Sequence, residues 1–342
     1  MASQDRIEHL VLPDGRYFSS LSAYEHFYAS GGMELVLDRL GHVPVRLNNI
    51  FLHVATGTVV TAEGAIWVAS VPEPRNLKRL RLLGKMRPDA RHVRTLATGS
   101  SIMLRQARKN YYHWLIDCLP RLYAYQEALN RFPVYLPAPK GVFEESLGYL
   151  TPEKAHVRYT AEKWLYVRDY LYLPPWSRDG DGSVPPGYRE FVIAQMNLRK
   201  AAHSHPGYFF VSRVRANRRR LVEEDRFVRD FLNPLGIRRI SFEALSFRMQ
   251  MQSMHQAKCL VGLHGAGLSN MLVMKRGGQV IEIQSFDRPM AHYRRLAHAL
   301  DLKYHVVATR FRGAVNDDVI LDAHDLAYLR HLLIQWMTDK SL

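Results

Sequence analysis

From Tyr208 onward the sequence alternates short apolar runs with amphipathic stretches. Tyr208 to Ser212, Ile237 to Phe242, Leu260 to Leu263, Val280 to Ile283 and Tyr304 to Val307 read as strands. Leu221 to Leu232, Ser246 to Lys258, Pro289 to Leu300 and Leu321 to Met337 read as helices between and after them. Runs of this length without polar alternation suit strands covered on both faces, and helical crossovers of this spacing make neighbouring strands parallel. A Rossmann-like parallel α/β sheet is therefore expected, with any ligand held beyond the carboxyl ends of its strands.

One stretch of that region changes character twice. Cys259-Leu-Val-Gly-Leu-His-Gly-Ala-Gly-Leu-Ser-Asn270 begins as a strand, breaks into glycines and resumes as a helix start. Such a turn leaves free backbone N–H groups and a positive dipole end aimed at one spot, which suits a phosphate. A Cβ at Gly267 is expected to obstruct such an anion. The order Gly-x-x-Gly-x-Gly is not the dinucleotide fingerprint, and glycines between strand and helix also serve the turn alone. On the residues alone both readings stay open.

The 342 residues exceed one typical core, so two domains, or one large one, are expected from length. The region before Tyr208 opens with a β meander over Asn48 to Thr56, Thr58 to Val60 and Ala65 to Val71. Asn76 to Arg87 reads as a basic amphipathic helix, able to lie on anionic lipid or simply to present a solvated face. Further on, Ala97 to Arg105 reads as a strand, Asn110 to Asn130 as a long aromatic helix, Phe132 to Pro137 as a strand, Val142 to Leu150 as a helix and Trp164 to Leu173 as a strand. Asp179 to Pro186, rich in Gly, Asp, Ser and Pro, is the expected linker, which separates a domain of residues 1–178 from one of residues 187–342. The last helix is allowed to pack back on the first domain.

Lys and Arg total 47 against 32 Asp and Glu, a net charge of +15, so the expected partners are anionic. RNA-binding aromatic motifs, zinc-finger spacing and basic heptads are all missing, which argues against nucleic acid. The 2 cysteines, Cys118 and Cys259, read as buried thiols. No apolar run reaches the length of a bilayer span and the first residues are polar, so the expected place is the cytoplasm or the inner face of its membrane.

Four groups are candidates for chemistry. His264, Ser269 and Asn270 flank the glycine turn. Arg213 leaves the strand Tyr208 to Ser212 toward the same crevice, followed by the run Arg218 to Arg220. Glu282 is an acid inside an apolar strand, which needs a partner such as a ribose hydroxyl or an arginine. His113 and Asp117 stand four apart on a helix, so the carboxylate can orient the imidazole as a general base.

Taken together, Asn110-Tyr-Tyr-His-Trp-Leu-Ile-Asp with Leu-Pro-Arg-Leu, then Val-Ser-Arg, Leu-Ser-Phe, His-Gly-Ala-Gly-Leu-Ser-Asn and Val-Ile-Glu-Ile resemble glycosyltransferase family 61. The resemblance runs from about Ser100 to about Val307. It implies a GT-B type α/β fold, two Rossmann-like domains facing a central cleft, and an inverting, metal-independent transferase with no cofactor. A nucleotide-sugar donor would be held by Arg213, the turn His264, Gly265, Ala266, Gly267, Leu268, Ser269 and Asn270, and Glu282. His113 and Asp117 would be catalytic, with either as the base, and Asn110, Tyr112, Trp114 and Arg121 would lie on the acceptor side. The acceptor would be a glycan or lipid-linked glycan in surface or capsular polysaccharide synthesis, with peripheral contact to anionic membrane. A non-catalytic binder of anionic glycan or nucleic acid is the alternative. Glu223-Glu224 stands where the family commonly has Asn-Glu, which weakens any role for position 223.

Overall fold

The computed structural model describes residues 10–18, 21–30, 41–71, 88–177, 182–201, 207–287, 289–310 and 318–338. Asn76 to Arg87, expected to be a basic helix, and part of the expected linker lie outside the described residues. The chain divides into two compact units, Met1–Trp176 and Ser177–Leu342, so the division falls just before the expected linker.

The first unit is built on a sheet of nine strands among the described residues: β1 (Leu10–Val11), β2 (Tyr17–Phe18), β3 (Val45–His53), β4 (Thr58–Thr61), β5 (Ile66–Trp67), β6 (Arg94–Ser101), β7 (Val134–Leu136), β8 (Val157–Tyr159) and β9 (Trp164–Tyr172), in the order β2-β1-β5-β4-β3-β9-β6-β7-β8. The meander is present: β3, β4 and β5 pair antiparallel. Its connections are too short for a crossover, and strands joined this way can only run antiparallel. The first of them, β3 to β4, turns at Gly57, whose φ of 67° favours glycine. Beyond it β3 pairs antiparallel with β9, while β6 runs parallel to β9 and to β7. β7 is parallel to β8 as well, so the sheet is mixed: β9, β6, β7 and β8 run parallel, and the meander joined at β3 is antiparallel.

The long helix expected over Asn110 to Asn130 is divided. His113–Cys118 is a π-helical turn, Leu119–Ala124 and Gln126–Leu129 are short α-helices, and Pro120 lies at the start of the first of these. Proline has no N–H to return to the carbonyl four residues back. The preceding turn widens, and the Leu119 amide bonds the Trp114 carbonyl instead.

The second unit carries a five-stranded sheet, β10 (Gly207–Val211), β11 (Arg238–Ile240), β12 (Ala257–Leu263), β13 (Gln279–Ser285) and β14 (Lys303–Thr309), in the order β11-β10-β12-β13-β14. Every neighbouring pair is parallel, as the alternation of runs required. Phe210, Val261, Leu263, Ile281, Ile283 and Val307 line one face and pack with Phe227, Leu232, Leu329, Leu333 and Trp336. The last of these come from the closing helix Ala323–Thr338, so that helix contributes to this sheet's core. The chain leaves β10 for β11 on one side and comes back to β12 on the other. The carboxyl ends of β10 and β12 therefore flank the point where strand order reverses, the position at which such sheets bind ligands.

Candidate functional site

Arg213 sits two residues past the end of β10 and is fixed from both directions. Its backbone N–H donates to Glu224 Oε2 at 3.1 Å, and the Ser212 hydroxyl donates to the other oxygen of the same buried carboxylate. Its side chain donates from Nε to the Arg219 carbonyl at 3.0 Å and from Nη2 to the Arg218 carbonyl at 2.9 Å. The basic run thus contributes backbone oxygens that orient the arginine. Burial lowers the guanidinium's pKa from its ordinary value, yet an arginine stays charged. Glu224 follows Glu223, whose φ of 56° places it in the left-handed region where asparagine costs less than glutamate.

The guanidinium lies against Gly265, where an added Cβ would overlap Nη1. The Gly265 carbonyl accepts from the Tyr293 hydroxyl at 2.7 Å, and burial raises that phenol's pKa well above its ordinary value. Beside it, the His264 amide bonds the Ile283 carbonyl at 2.9 Å, which extends the β12 to β13 ladder by one residue. His264 donates from Nδ1 to Glu282, and Tyr304 donates its hydroxyl to the other oxygen of that carboxylate. Glu282 is fully buried in mid-strand, in register with Gly262 and Val306. Its partners within the chain are thus a histidine and a tyrosine. With Nδ1 engaged, Nε2 is the His264 nitrogen left for a ligand.

The residues after the turn wind as a 3-10 helix, Ala266–Val273. Ala266 and Gly267 are half-buried, and the first N–H groups of a helix have no partner within it. Leu268, Ser269 and Asn270 turn inward and are buried. Asn270 donates to Gln250 Oε1 at 3.0 Å, and Gln250 in turn donates to the Phe242 and Leu245 carbonyls at 3.0 and 3.1 Å. A Cβ on Gly267 would meet Phe242 and Val211, each at 3.0 Å. That glycine serves close packing, which corrects the expectation that it makes room for an anion. Arg213, His264, Gly265 and the N–H groups of Ala266 and Gly267 are therefore what the fold gathers at the switch point.

In the first unit, His113 Nδ1 and Asp117 Oδ2 are 2.6 Å apart within the π-helical turn. The other Asp117 oxygen is buried with no hydrogen-bond partner among the described residues. The side chains differ in access, 26% exposed for His113 and 7% for Asp117, so the imidazole is the group that a substrate can reach. Of the four residues expected on the acceptor side, Asn110 is exposed and accepts from the Tyr112 amide at 3.0 Å. Tyr112, Trp114 and Arg121 are buried. Trp114 donates to Ser146 Oγ at 2.8 Å, and Arg121 reaches the Ile102 carbonyl at 3.4 Å, so both tie the core of their own unit.

The sequence model of the family described as Glycosyltransferase 61 matches residues 111–281, half of the 342-residue chain. The chain belongs to glycosyltransferase family 61. No curated protein matches it. The family span holds His113, Asp117, Arg213 and the whole glycine turn, and stops one residue before Glu282. Membership makes glycosyl transfer, with a donor and an acceptor substrate, the chemistry of this chain.

Three partners at this family 61 site had no motif to announce them. Glu224 was visible only as an acid after the basic run, and Tyr304 only through strand register, which a sequence does not print. Tyr293 lay in an expected helix with nothing to mark its face. Asp322, His324 and Asp325 are near enough for a metal, yet Asp322 and Asp325 cap the start of the closing helix reciprocally, and Asp325 also accepts from Thr309. Asp318 is taken by Arg220. No helix among the described residues is long and apolar enough to cross a membrane.

Proposed function

We propose that the protein is an inverting, metal-independent transferase that moves a sugar from a nucleotide-sugar donor to a hydroxyl of a glycan or lipid-linked glycan. It would serve surface or capsular polysaccharide synthesis at the cytoplasmic face of the membrane. The observation that carries this reading is Arg213, whose guanidinium is held by two backbone carbonyls beside Gly265, next to His264 and two half-buried helix-start residues. Preorganised donors of this kind stabilise the charge that develops on a departing diphosphate, work otherwise done by a divalent ion.

His113 is the base. Its Nε2 takes the acceptor's hydroxyl proton as the oxygen attacks the anomeric carbon, and the carbon–oxygen bond to the diphosphate breaks on the opposite face. Asp117 keeps the proton on Nδ1 and steadies the imidazolium that forms, as in a hydrolase triad.

A thermal-shift screen of nucleoside diphosphates and nucleotide sugars in EDTA tests it. A ligand at a hundredfold over its Kd stabilises by about 2.7 kcal/mol. We expect that shift in the parent and its loss in Arg213→Ala, since a charge-assisted contact contributes roughly 1.5 to 3 kcal/mol. An equal shift in both proteins, or one that appears only with added Mg²⁺ or Mn²⁺, would refute the assignment.

A further inference from the structure

The first unit contains a cavity of about 540 Å³ that is separate from the residues discussed so far, lined among others by His53, Arg108, Pro137, Tyr159, Glu162 and Lys163. Its walls are fixed by the fold: the Val54 amide bonds the Lys163 carbonyl at 3.1 Å, and the Thr160 amide the Leu136 carbonyl at 2.9 Å. Arg108 belongs to the segment that leads directly into the π-helical turn of His113.

The lining is chemically uneven. His53 is 5% exposed, with Nδ1 against Thr56 Oγ1 at 2.8 Å and its ring edge-on to Trp164. That leaves Nε2 for the cavity. Burial, Lys163 and Arg108, in that order, depress its pKa to about 4, so the ring is neutral at pH 7. A neutral imidazole nitrogen suits a sugar hydroxyl, which both donates and accepts. Arg108 and Lys163 have no ion-pair partner among the described residues, and Glu162 is the acid on the lining. Tyr159 also lines the cavity and is 53% exposed, so its ring is open to a ligand seated there.

We infer that this cavity seats the acceptor as a sugar residue bearing an anionic group, carboxylate or phosphate. Arg108 and Lys163 meet the anion, the Tyr159 ring covers the apolar face of the sugar, and His53 Nε2 meets a hydroxyl. The volume falls in the range of small-molecule sites and holds one or two sugar rings. This inference rests on the glycosyl-transfer reading and assigns its acceptor class.

The test is calorimetric titration of the full chain with a uronate disaccharide, a disaccharide phosphate, the matching neutral disaccharide and inorganic phosphate. A nucleoside diphosphate is titrated in parallel. We expect one of the two acidic sugars to bind at least tenfold more tightly than the neutral sugar and inorganic phosphate, and which one binds tells carboxylate from phosphate. Arg108→Ala and Lys163→Ala, both at exposed positions, should each weaken it about tenfold, the loss of one charged contact. Nucleoside diphosphate binding should not change in either. Acidic sugars that bind no better than neutral ones, inorganic phosphate that binds equally, or variants that bind as the parent does would overturn the inference. Retained nucleoside diphosphate binding in any of those cases leaves the donor site standing.

Discussion

Gly265 has an extended backbone, φ −179°, that any residue adopts, so its contribution is the Cβ it lacks. The Arg213 guanidinium occupies that space while two carbonyls hold it. We expect Gly265→Ala to fold, to push the guanidinium off its seat and to weaken nucleoside diphosphate binding about tenfold or more. Gly267→Val should act differently, by crowding Phe242 and Val211 at a cost of about 1 to 3 kcal/mol in stability. Calorimetry together with urea unfolding on the two variants checks this, and unchanged affinity in Gly265→Ala would contradict it. The sequence displayed both glycines but not the direction in which each one faces. Glu282 was legible as an acid needing a partner, whereas its partner Tyr304 depended on the register of a strand 22 residues on.

At the scale of elements, the strand and helix alternation after Tyr208 was legible because parallel strands announce themselves as uniform apolar runs. The meander was legible for the complementary reason, its short turns. The pairing of β3 with β9 was not, since strands separated by most of a domain leave no local trace of each other. Nor was the break in the aromatic helix, although Pro120 stood in plain view. That break matters because π-helical turns recur at functional sites, and this one holds His113 and Asp117. We expect His113→Ala to lower kcat by about a hundredfold or more with donor affinity unchanged, and Asp117→Asn to be milder. Near-parental turnover in His113→Ala beside an inactive Asp117→Asn would transfer the role of base to the aspartate.

For the molecule as a whole, burial depresses the pKa of His53, His255 and His305. A histidine whose folded pKa lies below its unfolded value binds fewer protons when folded, so its contribution is complete above about pH 6.5 and declines as the pH falls. For His53, with a folded value of about 4, the decline continues to about pH 4 and amounts to at most about 3 kcal/mol. Urea midpoints at pH 7 and pH 4.5 should therefore fall less in His53→Gln than in the parent, and an identical fall would remove His53 from the account. The net charge of +15 draws anions toward the protein from a distance, but it does not decide where they stop. What waits at the carboxyl edge of the second sheet is an arginine that has already stopped moving. Freezing such a side chain costs up to about 2 kcal/mol of entropy, and here the loss is incurred during folding, before any ligand arrives.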